Sequence, residues 1–236
     1  MDVRLGPGVR VHAVLPPISP AGAAVSIRVQ RAVPLGLREL AERGFFAQVS
    51  LSEVRALVDG RANLLITGAA GSGKTTLLGA LLASAPAGER IVVIEDVAEL
   101  QLPHPHVVAL EARQANLDGA GAMGLDRLVR EALRMRPDRL VVGECRGAEL
   151  RELLGALNTG HDGGAGTMHA NSLADVPARL EALGSMTGLA PDALARQAVS
   201  AFDAVLHVER TAQGRRLATH GVLALDRRGR LTASAV

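Results

Sequence analysis

Residues Gly68 to Thr75 have the types and the spacing of a loop that binds phosphate groups. They read Gly-Ala-Ala-Gly-Ser-Gly-Lys-Thr, which matches the pattern G-x-x-x-x-G-K-S/T throughout. Glycines let backbone N–H groups curl around phosphate oxygens, and a following helix directs its positive N-terminal end at the same anion. The pattern predicts an ATP site in which Lys74 reaches the β- and γ-phosphates and the Thr75 hydroxyl holds Mg²⁺. The predicted nucleotide-binding residues are Gly68, Ala69, Ala70, Gly71, Ser72, Gly73, Lys74, Thr75 and Thr76.

Lys74 is also the only lysine of the chain, although lysine and arginine together number 26. A bias toward arginine codons would explain the arginines. Lysine differs from arginine in being a compact point charge on a flexible stem, which is the shape that a phosphate loop requires. The one position that kept lysine is therefore the position where arginine would not serve.

Two acidic segments follow the phosphate loop. The apolar run Leu140–Val142 leads through a glycine to Glu144, and in phosphate-loop enzymes an acid at such a strand end lies beside Mg²⁺ and its waters. Glu95, Asp96 and Glu99 follow a second apolar run, and one of these carboxylates could be a general base for water. Taken alone, the second segment fits a solvated loop equally well.

Histidines and arginines supply the remaining candidates. His161 and His169 flank a glycine-rich stretch; their spacing fits no common metal-ligand pattern, so a γ-phosphate contact by one of them is the better interpretation. Most arginines of a helix form a solvated face, but one or two could reach a phosphate across a subunit boundary. The arginines that cluster before the strand leading to Glu144 are Arg113, Arg127, Arg130, Arg134 and Arg136.

Apolar strands alternate with helical segments through most of the chain, which predicts a sheet covered on both faces. We expect an α/β fold with a RecA-like P-loop core and a mostly parallel central sheet. Residues 1–35 alternate in the manner of a small strand pair, 36–60 form a linker and a helix, and 61–236 form the ATPase domain. Strands are expected at 63–67, 91–94, 107–110, 140–142, 166–169, 204–208 and 215–225, and helices around 77–82, 126–136, 147–157, 173–184 and 191–201.

Composition narrows the class of protein. Hydrophobic residues make up 48% of the chain and aromatic residues 1%, so the core must be aliphatic. No apolar run has the length of a bilayer span and no signal-peptide layout is seen, so we expect a cytoplasmic protein without a transmembrane segment. A single cysteine, Cys145, allows no internal disulfide and argues against a cysteine-based metal cluster. The net charge of +2 is too small to predict binding of nucleic acid.

Three blocks of sequence resemble the type II/IV secretion ATPases, and most closely the CpaF/TadA branch that powers Tad (Flp) pilus assembly. The first block is Ile94-Glu95-Asp96-Val97-Ala98-Glu99-Leu100. The second runs from Ala132 to Glu149 and contains Arg-Pro-Asp-Arg-Leu-Val-Val-Gly-Glu. The third runs from Asn158 to Ser172 and contains both histidines.

The resemblance implies a hexamer that hydrolyses ATP with Mg²⁺ and drives pilus or secretion platform proteins at the inner membrane, where it is peripheral. By position, Glu99 is the water-activating carboxylate, Glu144 is the Walker B acid and a metal ligand with Thr75, and His169 belongs to the histidine box. Arg113 stands where the family carries an arginine after a strand. Family members have a substantial N-terminal region, so residues 1–35 are expected to be the end of a truncated one.

Two other functions remain open at this point. A RecA-like nucleic-acid motor would share the loop and the ring, but it usually needs a basic track or stacking aromatics, and this chain has three Phe, no Tyr and no Trp. A nucleotide-binding structural subunit without turnover is the second alternative. DNA-stimulated turnover would favour the first, and absence of turnover in the assembled protein the second.

Overall fold

The computed structural model describes residues 2–5, 8–29, 34–113, 115 and 121–236. The chain divides into two compact units, Met1–Pro34 and Leu35–Val236. The first unit is a three-stranded antiparallel sheet of β1 (Asp2–Arg4), β2 (Val9–Val14) and β3 (Ala24–Val29), with β2 in the middle. This unit contains the strand pair that the alternating sequence predicts.

The second unit is built on an eight-stranded sheet in the order β11-β10-β9-β4-β8-β7-β5-β6. Its strands are β4 (Leu64–Gly68), β5 (Ile91–Glu95), β6 (Val107–Glu111), β7 (Arg139–Val142), β8 (Ala165–His169), β9 (Ala204–Thr211), β10 (Gly214–Leu225) and β11 (Leu231–Ala235). Its helices are α1 (Leu37–Glu42), α2 (Leu51–Asp59), α3 (Lys74–Ala83), α4 (Leu125–Leu133), α5 (Glu149–Leu157), α6 (Val176–Met186) and α7 (Pro191–Ala201).

Strands β9, β4, β8, β7, β5 and β6 run parallel to one another, and only β10 and β11 are antiparallel additions. Every residue of β4 and β5 is buried, as expected for parallel strands that helices cover on both faces. The predicted α/β fold with a mostly parallel central sheet is confirmed.

Helices α4–α7 pack against one face of the sheet and α1–α3 against the other, and each face has its own aliphatic core. Residues 36–60, expected to be a linker and a helix, form two helices of the second core. Leu37, Leu40, Val54 and Val58 are buried in the same cluster as Leu77 of α3. The compact unit therefore begins at Leu35.

Other differences from the predicted elements are local. The segment expected to be one helix from 173 begins with a 3₁₀ turn at Leu173–Asp175, where the Ser172 hydroxyl accepts a hydrogen bond from the N–H of Asp175. Strand β11 was not predicted. Within the described ranges, none of the helices has the length and apolar character needed to cross a bilayer.

Candidate phosphate-binding site

The phosphate loop joins the carboxyl end of β4 to the start of α3, and β4 lies between β9 and β8. Gly68 has φ +152°, and a Cβ atom there would clash with the carbonyl oxygen of Val208 on β9. Only glycine fits this close approach of two strands. Gly73 then adopts a left-handed conformation at the N-cap position, so that α3 begins at Lys74 with its free N–H groups directed at the loop.

The Lys74 side chain is folded into the loop. Lys74 is 7% exposed, and its Nζ donates to the carbonyl oxygens of Gly68 and Ala69 at 3.0 and 3.1 Å. Nζ also lies 3.2 Å from Nδ1 of His169. Burial lowers the pKa of Lys74, and the positive charge of Arg146 lowers it further, while Glu144 acts in the opposite sense. An added anion would stabilise the charged form of this buried ammonium, and a phosphate group supplies such an anion.

His169 connects Lys74 to Glu144. An ammonium has only donors, so Nδ1 of His169 must accept from Lys74, and the ring proton must lie on Nε2. Nε2 in turn donates to Oε1 of Glu144 at 2.7 Å. Burial lowers the pKa of His169, and the charge of Lys74 lowers it further, which favours this neutral tautomer. One chain of polar contacts thus links side chains at or after the carboxyl ends of three neighbouring parallel strands, β4, β8 and β7.

Glu144 also contacts an arginine that the sequence did not single out. The Arg146 guanidinium lies 2.5 Å from Glu144 and 3.6 Å from Asp96. Burial alone would raise the pKa of Glu144, but the hydrogen bond from Arg146 and the charges of His169 and Lys74 outweigh it, so the pKa is lowered. Glu144 is therefore held as a carboxylate, which is the form that binds a metal ion.

Glu95 shapes the acidic loop that carries Glu99. The Glu95 side chain is buried, and its carboxylate accepts hydrogen bonds from the N–H groups of Glu99 and Leu100 at 3.2 Å. A Cβ atom on Gly143 would lie 2.6 Å from Cγ of Glu95, so the glycine before Glu144 makes room for this carboxyl group. Glu95 therefore holds the backbone beside Glu99.

We expect Glu95 to make stability depend on pH. Burial raises its pKa to about 7 from the ordinary 4.5, so the native state binds a proton that the unfolded state has lost between these values. Stability contributed by the neutral carboxyl is complete below pH 4.5 and is lost as the pH rises through about 7. Full ionisation costs about 3 kcal/mol at roughly 1.4 kcal/mol per pKa unit.

Urea titrations at pH 5 and pH 8 measure this effect. The Glu95→Gln variant keeps one oxygen that can accept from the N–H groups of both Glu99 and Leu100 but cannot ionise, so its stability relative to the wild type should rise between the two pH values. The matched control is Asp96→Asn, because Asp96 is adjacent and exposed. A constant difference between wild type and Glu95→Gln would contradict the burial argument.

The other candidates lie away from this cluster. His161 precedes β8, and its ring N–H donates to the carbonyl oxygen of Ala156 at 3.1 Å. Arg134 and Arg136 precede β7. The amino ends of the parallel strands lie together on one side of the sheet. All three residues are therefore on the side opposite the phosphate loop, which follows the carboxyl end of β4. Of the two histidines, only His169 reaches Lys74.

Arg113 follows β6, the edge strand of the sheet, and is exposed. Its backbone pairs with Met123 at 3.0 and 2.9 Å, so the two flanks of the intervening segment are joined. Strands β8, β7 and β5 separate β6 from β4, which amounts to four inter-strand steps, or about 19 Å at roughly 4.8 Å each. Arg113 therefore does not reach the phosphate loop of its own chain.

The residues expected to hold Mg²⁺ fit its chemistry. Thr75 is half-buried at the first turn of α3, and both its hydroxyl and the Glu144 carboxylate offer the oxygen ligands that Mg²⁺ prefers. No group of three His, Cys, Asp or Glu side chains arranged for a metal occurs in the part of the chain that the structure describes. Mg²⁺ is usually held by one or two protein oxygens plus substrate phosphates and water, so this sparse set suits it.

A parallel α/β sheet with a phosphate loop after a central strand, and an acid after a neighbouring strand, defines the P-loop class of nucleotide-binding proteins. Within that class, residues 3–214 match the family described as "Type II/IV secretion system protein". The chain belongs to this family.

Two similar proteins support the assignment. A putative conjugal transfer protein of Mycobacterium tuberculosis (strain H37Rv) is 48% identical over 231 residues, covering 98% of this chain and 66% of the relative. The conjugal transfer protein TrbB of Rhizobium radiobacter is 35% identical over 214 residues, covering 89% of this chain and 63% of the relative. The chain thus spans about two thirds or less of these relatives.

Solved structures share the fold. The VirB11 ATPase of the Brucella suis type IV secretion system, in complex with sulphate, superposes with a TM-score of 0.65 at 27% identity, covering 93% of this chain and 75% of that one. The pilus retraction motor PilT with bound ADP gives a TM-score of 0.68 at 21% identity, covering 93% and 62%, which shows the fold alone.

Proposed function

We propose that this chain hydrolyses ATP and that the released energy drives a type II/IV secretion machine. The observation that carries the proposal is the contact chain from Lys74 through His169 to Glu144, because it links a phosphate-loop lysine to the carboxylate that we propose as a ligand of Mg²⁺. The named relatives, which are conjugal transfer and VirB11 proteins, support a secretion role.

In the proposed reaction each part of the cluster has one task. The loop N–H groups and Lys74 bind the phosphates, and Thr75 and Glu144 would hold Mg²⁺, which would neutralise the negative charge that develops on the transferred phosphoryl group. Glu99 orients the attacking water and accepts its proton. His169, released from Lys74 when phosphate takes the ammonium, senses the γ-phosphate.

The finer assignments are part of the same proposal. The three sequence blocks favour the CpaF/TadA branch and Tad pilus assembly, in a homo-hexamer that docks on platform proteins at the inner membrane. Residues 1–34 then belong to an N-terminal domain and 35–236 to the catalytic one. The mass of the protein in solution with and without nucleotide tests the ring: a hexamer supported by ATP agrees with it, and a monomer under both conditions contradicts it.

Binding and hydrolysis should separate at the two acids. Glu144→Gln and Glu99→Gln should each slow turnover by about 10²-fold or more, since general-base and metal-positioning groups contribute about 10²–10⁴. ATP affinity should stay within several-fold, because neither acid binds the phosphates directly. A fluorescent-ATP titration beside a phosphate-release assay measures both quantities.

Asp192→Asn is the control, since it removes an exposed carboxylate of α7 that pairs with Arg196, outside the contact chain. Normal hydrolysis by Glu99→Gln would assign the general base elsewhere. Turnover that rises with added DNA would favour a nucleic-acid motor, and a wild-type protein that binds ATP without hydrolysing it would favour a structural subunit.

A further inference from the structure

The hairpin of β9 and β10 places two arginines against the phosphate loop. Nε of Arg215 donates to the carbonyl oxygen of Gly71 at 2.9 Å, and Cδ of Arg215 lies 3.1 Å from where a Cβ on Gly73 would stand. Nη1 of Arg210 lies 3.9 Å from the corresponding position on Gly71. Arg210 and Arg215, the arginine pair, are thus part of the wall of the site.

The arginine pair is unfavourable by itself. Arg210 and Arg215 stand directly opposite each other in the antiparallel ladder, and like charges in that position destabilise a hairpin. The next pair along the ladder is Glu209 and Arg216, and these side chains form an ion pair at 3.0 Å. One cross-strand pair of the hairpin is therefore neutral overall, and the adjacent cross-strand pair consists of two cations.

Within the described ranges, neither cation forms an ion pair with a carboxylate. Among the residues that the structure describes, the Arg210 side chain has no hydrogen bond or ion pair, and Arg215 has only its bond to Gly71. Both side chains are exposed, so their terminal nitrogens remain available. Free guanidinium forks match phosphate oxygens in geometry and charge.

We propose that the arginine pair is a second set of phosphate contacts, which binds the polyphosphate of the nucleotide from the hairpin side. A phosphate group in the loop lies well within the ~8–10 Å over which such charges interact in physiological salt. The inference rests on the proposed function, because it takes the loop to hold a nucleotide. The bound phosphates then relieve the repulsion between the two arginines.

The experiment compares ATP and inorganic tripolyphosphate binding by calorimetry, with thermal melting of the ligand-free protein. The double variant Arg210→Ala/Arg215→Ala should bind both ligands about 10-fold or more weakly, the loss expected when charged hydrogen bonds are removed. Its melting temperature without ligand should equal or exceed that of the wild type, because the like-charge contact is gone. Arg216→Ala is the control on the same hairpin and should bind both ligands normally.

Three results would overturn the proposal. If the wild type and the double variant bind with equal affinity, the arginine pair does not contact the phosphates, and the proposed function is unaffected. If the double variant binds ATP more weakly but tripolyphosphate normally, the arginine pair contacts the base or the ribose instead of the phosphates. Failure of the wild type to bind either ligand overturns the proposed function and the inference together. If the double variant does not fold, Arg210→Ala alone decides, since it breaks no hydrogen bond within the described ranges.

Discussion

Replacing Lys74 by Ala or Met should reduce ATP turnover by at least about 10³-fold, the range found when a group facing transition-state charge is removed. Both variants delete the ammonium, and Met keeps most of the side-chain volume in the buried position. Lys74→Arg should also fail, because the Gly68 and Ala69 carbonyls and His169 converge on one compact ammonium, an arrangement that a planar guanidinium does not reproduce. A phosphate-release assay measures the loss, and normal turnover in any of the three would refute the assignment.

The same lysine allows a labelling test without mutation. Because Lys74 is the only lysine, an amine-reactive reagent can modify only its side chain and the terminal α-amino group. Burial lowers the pKa of Lys74, which leaves more of the reactive neutral amine. ATP should protect Lys74 and leave the α-amino group reactive, so the terminal label is an internal control.

The second large effect is expected at Arg113. An arginine that contacts the transferring phosphoryl group is worth about 10³–10⁵ in rate. Arg113 lies on the far edge of the sheet from the phosphate loop, so in the proposed ring it can only serve the site of a neighbouring subunit. Arg113→Ala alone should therefore bind ATP normally and lose turnover by about this factor.

Mixing separates action between subunits from action within one. Lys74→Ala subunits lack an ATP site but offer Arg113, while Arg113→Ala subunits have an intact loop, so mixed rings should recover activity that neither variant shows alone. Arg196→Ala, an exposed arginine on α7, is the control. Full activity of Arg113→Ala would transfer the role to Arg146, which lies in its own site beside Glu144. An inactive mixture would show that Arg113 does not act between subunits.

The sequence was sufficient for the parts of the site that are continuous along the chain. The phosphate loop, Glu144 and the acidic loop each follow a strand with a clear apolar run, so their positions at the carboxyl edge could be expected. The choice between His161 and His169 needed only the direction of β8, because a residue before a parallel strand lies away from the phosphate loop and a residue at its carboxyl end lies near it.

Contacts between distant segments were beyond the sequence. Arg146 belongs to the site because β7 and β5 are neighbours, which brings Glu144 and Asp96 to one guanidinium. Arg215 meets Gly71 only because β10 follows β9 and β9 lies beside β4. Strand β11 carries the small residues Thr232, Ala233 and Ser234, so its alternation was too weak to stand out, and its pairing with β10 defines it.

The position of β4 also determines how the two walls of the site move. Its backbone is hydrogen-bonded to β8 on one side and β9 on the other, and Thr67 is bonded to His207 at 2.9 Å across the second junction. Amide hydrogens of such a strand exchange with solvent only when the whole domain opens, whereas the exposed hairpin tip at 212–215 can exchange through local opening. The strand that leads into the phosphate loop is consequently set before a ligand arrives, whereas Arg215 lies at a tip that can adjust after the ligand has bound.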